Sequence, residues 1–321
     1  RSTLFPYTTL FRSARFNKIM IVGTGNVGAS IAFALLHQRT AINEIILTDI
    51  LAKDAEGEVM DLSDALAVAP SYLKIRSGTY KDAKNCDVII ITAGIAQKPQ
   101  DTRLSLIKKN ANILKGMVTQ IMDSGFQGIF LVITNPVDIM AYLTWKFSGL
   151  PSEQVIGTGT ILDSARLKQR LANYLDLHPK SINAYQIGEH GDSEVTPWSL
   201  IDIAGQPISE LLNETVLEDI TNFVKNEAYT IIDKKGATYY GVATCATQIL
   251  NCIFNDERRI LPVSSYDDFT DTYYGFPAVV GREGIIRRLD LKLSELEGIA
   301  LQKSINILKS AQKSLKLDKI P

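Results

Sequence analysis

Apolar and polar positions alternate along this chain in two rhythms. Lys18–Val22 is a short apolar run with β-branched residues, and Ile31, Ala34 and Leu35 follow at helical spacing. Residues 45–47 form a second apolar run. Residues 87–91, 129–133 and 155–156 read as further buried strands, and residues 104–122 as a long helix. Strands alternating with helices predict a parallel sheet, helices on both faces and right-handed crossovers. Ligands in such sheets bind at the carboxyl ends of the strands. The polar or glycine-rich ends Thr92-Ala93-Gly94, Thr134-Asn135-Pro136 and Gly157-Thr158-Gly159 are therefore the expected floor of one site.

From Thr160 the texture changes. Ile161–Leu175 reads as a helix, and residues 181–187, 199–203 and 271–280 as runs able to pair antiparallel. The last helix opens on Ser294-Glu295-Leu296-Glu297, a capping box, and carries an apolar stripe through Leu301, Ile305 and Leu308. The predicted fold is α/β: a Rossmann doubly wound parallel sheet (residues 14–158) followed by an α+β substrate domain (residues 159–321). Residues 1–13 lack either rhythm. They resemble a translated sequencing adapter, have no signal-peptide core, and are expected to be a non-native, loosely attached extension.

Composition narrows the class. An apolar fraction of 45% and a charged fraction of 21% over 321 residues fit a water-soluble protein with ample core. A net charge of −1 argues against general nucleic-acid binding. The longest apolar run is too short to span a bilayer. Cys86, Cys245 and Cys252 lack metal-ligand spacing and lie in apolar stretches, which suggests buried thiols in a reducing, cytoplasmic setting and no metal site.

Gly23-Thr24-Gly25-Asn26-Val27-Gly28 stands between the first strand and the first helix, with Asp49 about twenty residues on. In that context the spacing is a dinucleotide fingerprint. The first glycine makes the turn, the second admits a pyrophosphate, and the third lets helix pack on strand. Free N–H groups at the helix start receive phosphate. The Asp49 carboxylate accepts from ribose hydroxyls and repels a 2′-phosphate, which favours NAD over NADP.

A second constellation is Gly188-Glu189-His190-Gly191-Asp192-Ser193-Glu194, which holds one of three histidines. Asp163 and Arg166 are three apart on a helix and share a face. We expect these two stretches to meet, with Asp163 orienting His190 and Arg166 gripping an anionic substrate. Residues 95–103, polar and containing Pro99, follow a sheet strand and suit a mobile lid. His37 and His178 lie outside any motif and read as structural or exposed.

These stretches, with Ala93-Gly94-Ile95-Ala96-Gln97-Lys98-Pro99, Arg103, Thr134-Asn135-Pro136-Val137-Asp138 and Lys235-Gly236-Ala237-Thr238, stand in an order that resembles bacterial L-lactate dehydrogenase. The match runs from about Asn17 to near the end of the chain. The wider superfamily includes malate and hydroxyisocaproate dehydrogenases. The resemblance implies reversible hydride transfer between NADH and pyruvate, a fermentative role, and a homotetramer. It implies His190, Asp163, Arg103 and Arg166 as the catalytic set, with Gln97, Asn135 and Thr238 also meeting the substrate. For the cofactor it implies Gly23, Gly25, Asn26, Val27, Gly28, Asp49, Lys53, Tyr80, Gly94, Thr134, Asn135 and Thr158.

Gln97 bears on the substrate. Related malate enzymes carry arginine there, to pair with a second carboxylate. A neutral glutamine does not repay the desolvation of an extra charge, so pyruvate is favoured and a bulkier 2-oxo acid is the alternative. Many bacterial relatives bind fructose 1,6-bisphosphate between subunits through an arginine and a histidine. Lys168 and Asn183 match those positions, which implies weak or absent activation. A non-catalytic NAD-binding protein of this fold is the alternative outside enzymes. A metal-dependent glycosidase of related fold would want a cysteine near His190, and none lies near it in sequence.

Overall fold

The computed structural model describes residues 17–38, 40–95 and 103–315, the side chains of residues 103–106 excepted. The expectations for residues 1–13, for most of the lid and for Gln97 lie outside them.

The first half is a run of alternating elements: β1 (Lys18–Val22), α1 (Asn26–Leu36), β2 (Glu44–Thr48), α2 (Ala52–Leu66), β3 (Lys74–Ser77), β4 (Val88–Ile91), α3 (Arg103–Asp123), β5 (Ile129–Val132), α4 (Val137–Ser148) and β6 (Val155–Gly157). The strands pair in parallel in the order β3-β2-β1-β4-β5-β6, the doubly wound order. Both faces of the sheet are covered. Ile19 and Ile21 of β1 point into one apolar core and Met20 and Val22 into the other. This is why the strands read as unbroken apolar runs rather than alternating ones.

The second half contains α5 (Ile161–Leu175), β7 (Asp202–Ile203), β8 (Gln206–Pro207), α6 (Ile208–Leu211), α7 (Glu214–Lys235), α8 (Tyr240–Asn255), β9 (Arg259–Asp267), β10 (Thr272–Gly281), β11 (Gly284–Arg288) and α9 (Glu295–Ser314). The β9-β10-β11 meander does not form a sheet of its own. It joins the edge of β6 antiparallel, through Gly157 and Ser264, and completes a nine-stranded sheet. Helix α9 opens on the expected capping box and buries Leu301, Ile305 and Leu308.

Two expected strands are absent as such. Residues 182–186 alternate in burial but form no ladder; of the expected run only Ile187 pairs antiparallel, in a single bridge with Val195. The backbone of Gln186 is met by side chains instead: Thr160 Oγ1 donates to its carbonyl at 2.6 Å, and its N–H donates to Ser164 Oγ at 2.8 Å. Of residues 199–203, only Asp202 and Ile203 pair, in a two-residue ladder with Gln206 and Pro207. Pro207, inside the ladder, has no N–H to donate, and the chain turns into α6 at Ile208, whose N–H donates to the Ile201 carbonyl at 3.0 Å. The run at 271–280 corresponds to β10.

All three cysteines are buried and free. Among the described residues, no helix is long and apolar enough to cross a membrane, and no cluster of three or more metal-ligating side chains occurs.

Candidate active site

The carboxyl ends of β1, β4, β5 and β6 form a continuous floor. Thr92 N–H donates to the Val22 carbonyl, Thr134 Oγ1 to the Ala93 carbonyl at 2.7 Å, and Thr158 N–H to the Val132 carbonyl. At the end of β1, Gly23 takes φ +100° and turns the chain into α1. A Cβ on Gly28 would stand 2.0 Å from the Gly23 carbonyl oxygen, so this helix packs against its strand only with glycine there. A Cβ on Gly25 would meet nothing within 4 Å. The space beside the Gly25 backbone is open.

The start of α1 has no side-chain cap and no acid in its first turn, so the N–H groups beside Asn26 and Val27 are left for an anion. Asp49 follows β2 and is fixed by Thr24, whose N–H and Oγ1 donate to Oδ2 at 2.7 and 3.1 Å. Burial, with Asp49 nearby, raises the half-buried Tyr80 hydroxyl above its ordinary pKa. Lys53 is exposed in the first turn of α2. Gly94 lies against Thr134, whose Cγ2 would be 2.5 Å from an added Cβ. An open glycine, an uncapped helix start and an oriented carboxylate fit a dinucleotide.

The His190 loop is held from four sides. Gly188 exchanges both backbone hydrogen bonds with Gly275 of β10, at 2.8 Å each. Its φ of +95°, with Ser304 Oγ 2.6 Å from where a Cβ would be, requires glycine. Glu189 N–H donates to Ser304 Oγ of α9 at 2.8 Å, and His190 N–H to Asp138 Oδ2 of α4 at 2.8 Å. Asp138 is itself buried and also accepts from Ser264 Oγ at 2.6 Å.

On the fourth side stands α5. Asp163, in its first turn, lies with Oδ2 2.6 Å from His190 Nδ1. Its other oxygen accepts from Arg166 Nη1 at 3.0 Å. Asp163 and Arg166 are 3% and 8% exposed, so both charges are out of bulk water and paired. These residues and Asn135 line one cavity of about 360 Å³, together with Lys225 and Tyr229 of α7. Asn135 Oδ1 also accepts from Val137 N–H at 3.2 Å, which fixes the amide at the start of α4.

The charges set the protonation states. Burial by itself lowers the imidazole pKa, but Asp163, with Asp138 and Glu194 behind it, outweighs burial and lifts His190 to about 9. Burial opposes the Asp163 charge too, yet His190 and Arg166 hold its carboxyl below the usual range. Burial, then Asp163, pushes Glu194 up to about 8. Burial raises Asp138 to about 6 against the hydrogen bonds it accepts. The ring is thus a cation at neutral pH, with Nδ1 engaged and Nε2 left for transfer of a proton.

His190, Asp163, Arg166 and Asn135 therefore come together. Thr238, half-buried in the turn between α7 and α8, is not among the residues lining the cavity. Arg103 opens α3. His37 is exposed against Phe33, and His178 is exposed and caps Lys180 N–H. Sequence reasoning missed the parts played by Asp138 and Ser304. Asp138 had one signal, its place three residues after Asn135 at the end of a strand. Ser304 had none, because its partner is 115 residues away.

Two family models match the chain: the NAD binding domain of lactate/malate dehydrogenase over residues 17–157, and its alpha/beta C-terminal domain over residues 160–317. The chain is 46% identical over 303 residues to L-lactate dehydrogenase 1 of Bacillus cereus, covering 91% of this chain and 96% of that one. It is 45% identical over 303 residues to L-lactate dehydrogenase of Halalkalibacterium halodurans, covering 93% and 97%. The crystal structure of the minor L-lactate dehydrogenase of Enterococcus mundtii, in its ligands-bound form, superposes with a TM-score of 0.92 at 42% identity. It covers 94% of this chain and 99% of that one. A lactate dehydrogenase from a Medee basin deep-sea metagenome library gives 0.91 at 42%, with the same coverage.

Proposed function

Since the chain belongs to the lactate/malate dehydrogenase family, with NAD as its cofactor, we propose that it is an L-lactate dehydrogenase, reducing pyruvate to L-lactate and running in reverse. The observation that carries this reading is the His190–Asp163 pair at 2.6 Å with Arg166 one turn away in the same cavity. Reduction of a 2-oxo acid consumes one hydride and one proton. Bound NADH supplies the hydride to the carbonyl carbon.

His190 gives the proton from Nε2 to the carbonyl oxygen as that oxygen gains charge, and takes it back from the hydroxyl in reverse. Asp163 keeps Nδ1 protonated and the ring oriented, and stabilises the imidazolium. Arg166 binds the substrate carboxylate, and each charge-assisted hydrogen bond of that kind contributes roughly 1.5–3 kcal/mol. Asn135 donates its amide to the substrate oxygen. Arg103, at the far end of the proposed lid, polarises the carbonyl where negative charge develops. On the family pattern, Gln97 is assigned to the substrate's variable end, and Thr238, which does not line the cavity, is a weaker candidate for substrate contact. A neutral Gln97 supports pyruvate over oxaloacetate, and a bulkier 2-oxo acid is the second reading. We also assign a homotetramer in the cytoplasm, on the family and on three free, buried thiols.

Initial rates of NADH oxidation with pyruvate, oxaloacetate and 4-methyl-2-oxopentanoate test the proposal. Pyruvate is expected to give the highest kcat/KM. Preference for the branched acid keeps the chemistry and moves the substrate. Absence of turnover on all three leaves a non-catalytic NAD-binding protein.

A further inference from the structure

Helix α7 packs on α5 through a stripe at helical spacing. Ile220 and Val224 are buried in a core with Leu167 and Leu171. The next position on that stripe is Glu227. An acid thus stands where the spacing calls for an apolar side chain, and it faces α5. Its Oε2 is 3.7 Å from Arg166 Nε, is cut off from solvent, and has no hydrogen-bond partner among the described residues. Arg166 already donates from Nη1 to Asp163, so its guanidinium is shared by two carboxylates. One is locked at 3.0 Å. The other is loosely held, on a side chain that is 28% exposed.

Arg170, one turn along α5, adds a second cation that attracts Glu227. Its guanidinium lies over Phe223 at 4.3 Å, and its buried Nε lacks an acceptor among the described residues. A loosely held carboxylate attracted by two guanidiniums has somewhere to go when a better anion arrives.

We propose that Glu227 is the internal anion with which the substrate carboxylate competes for Arg166, and that it sets how tightly the enzyme binds its 2-oxo acid. The inference rests on Arg166 being the carboxylate anchor. In the empty site Glu227 offsets the buried guanidinium charge. Substrate binding replaces its long contact with hydrogen-bonded ones and turns it towards Arg170. Part of the energy of the new contacts is consumed in the exchange, so affinity is lower than Arg166 alone provides.

The surroundings of Glu227 give the effect a pH dependence. Asp163, Arg166 and Arg170 act on it from α5, Glu194 and His190 line the neighbouring cavity, which Glu227 itself does not line, and Lys225 is on its own helix. Burial raises the Glu227 carboxyl above its ordinary range, and the two arginines only partly offset this. Competition is therefore strongest where Glu227 is ionised and fades as pH falls.

The test is equilibrium binding of oxamate, the unreactive amide analogue of pyruvate, to the enzyme–NADH complex of wild type, Glu227→Gln and Glu227→Asp. Glu227→Gln keeps the shape and removes the charge. It is expected to bind oxamate about tenfold more tightly near neutral pH, with the advantage shrinking as pH falls and Glu227 takes up a proton. Glu227→Asp, whose carboxylate is withdrawn by one methylene, is expected to fall between the two, and it serves if the glutamine variant does not fold. Equal or weaker binding by the variants overturns the inference, because it makes Glu227 a support for Arg166. Pyruvate turnover by wild type reports separately on the underlying function. An active wild type with unimproved variants loses only this inference, and an inactive wild type loses both.

Discussion

Asp138 accepts the backbone N–H of His190 at 2.8 Å across 52 residues of sequence, while Asp163 holds the same residue's ring. One aspartate thus fixes where the histidine stands and the other how its ring is turned. Replacing Asp138 with Ala leaves the His190 N–H and the Ser264 hydroxyl without their acceptor. Each unsatisfied buried donor costs about 1–3 kcal/mol, so Asp138→Ala should lower the denaturation midpoint and kcat/KM together. Urea unfolding and steady-state rates check both. Unchanged kinetics at reduced stability would confine Asp138 to the scaffold.

Arg166→Lys keeps the charge and loses the planar fork. It should raise the pyruvate KM by about tenfold to a hundredfold, with a smaller loss in kcat. The measurement is a saturation curve at constant NADH.

The two glycines of the turn into α1 should respond differently. Gly28→Ala drives a Cβ into the Gly23 carbonyl and should destabilise the fold. Gly25→Ala finds open space in the protein, so it should melt like wild type yet bind NADH about tenfold or more weakly. Thermal melts and NADH fluorescence titration separate the two effects.

Fructose 1,6-bisphosphate should change the pyruvate KM by less than about twofold. Lys168 is a single point charge, lowered in pKa by burial and by Arg259, and Asn183 brings no cation. A strong fall in KM at micromolar bisphosphate would contradict the reading of these two positions.

Much of the parallel half was legible because its strands are buried on both faces and so stand out as apolar runs between turn residues. Lys74–Ser77 escaped because it is an edge strand of mixed polarity, half-buried at best. Residues 182–186 have a strand's alternation without a strand's neighbours, and pattern alone does not distinguish the two. The meeting of His190 with Asp163 and Arg166 was expected from the residues, since a histidine between tight turns and an acid–base pair on one helix face make a coherent chemical unit. The supports were not legible. Ser304 and Asp138 act through single hydrogen bonds across long sequence separations, and Glu227 looks in sequence like any solvated acid on a helix.

The measurement that bears most directly on the central claim is the pH dependence of kcat/KM for pyruvate, in wild type and in Asp163→Asn. Folding raises the His190 pKa, so the stability it contributes is present below the ordinary histidine value of about 6.5 and is lost as pH rises through about 9. Pyruvate reduction needs the same protonated ring, so wild-type kcat/KM should hold through neutral pH and fall above about 9. In Asp163→Asn the fall should move down by about a unit or more, and the plateau should drop by about a hundredfold or more. A wild-type profile flat through pH 10, or one that Asp163→Asn leaves in place, would contradict the assignment of His190 as the proton donor held charged by Asp163.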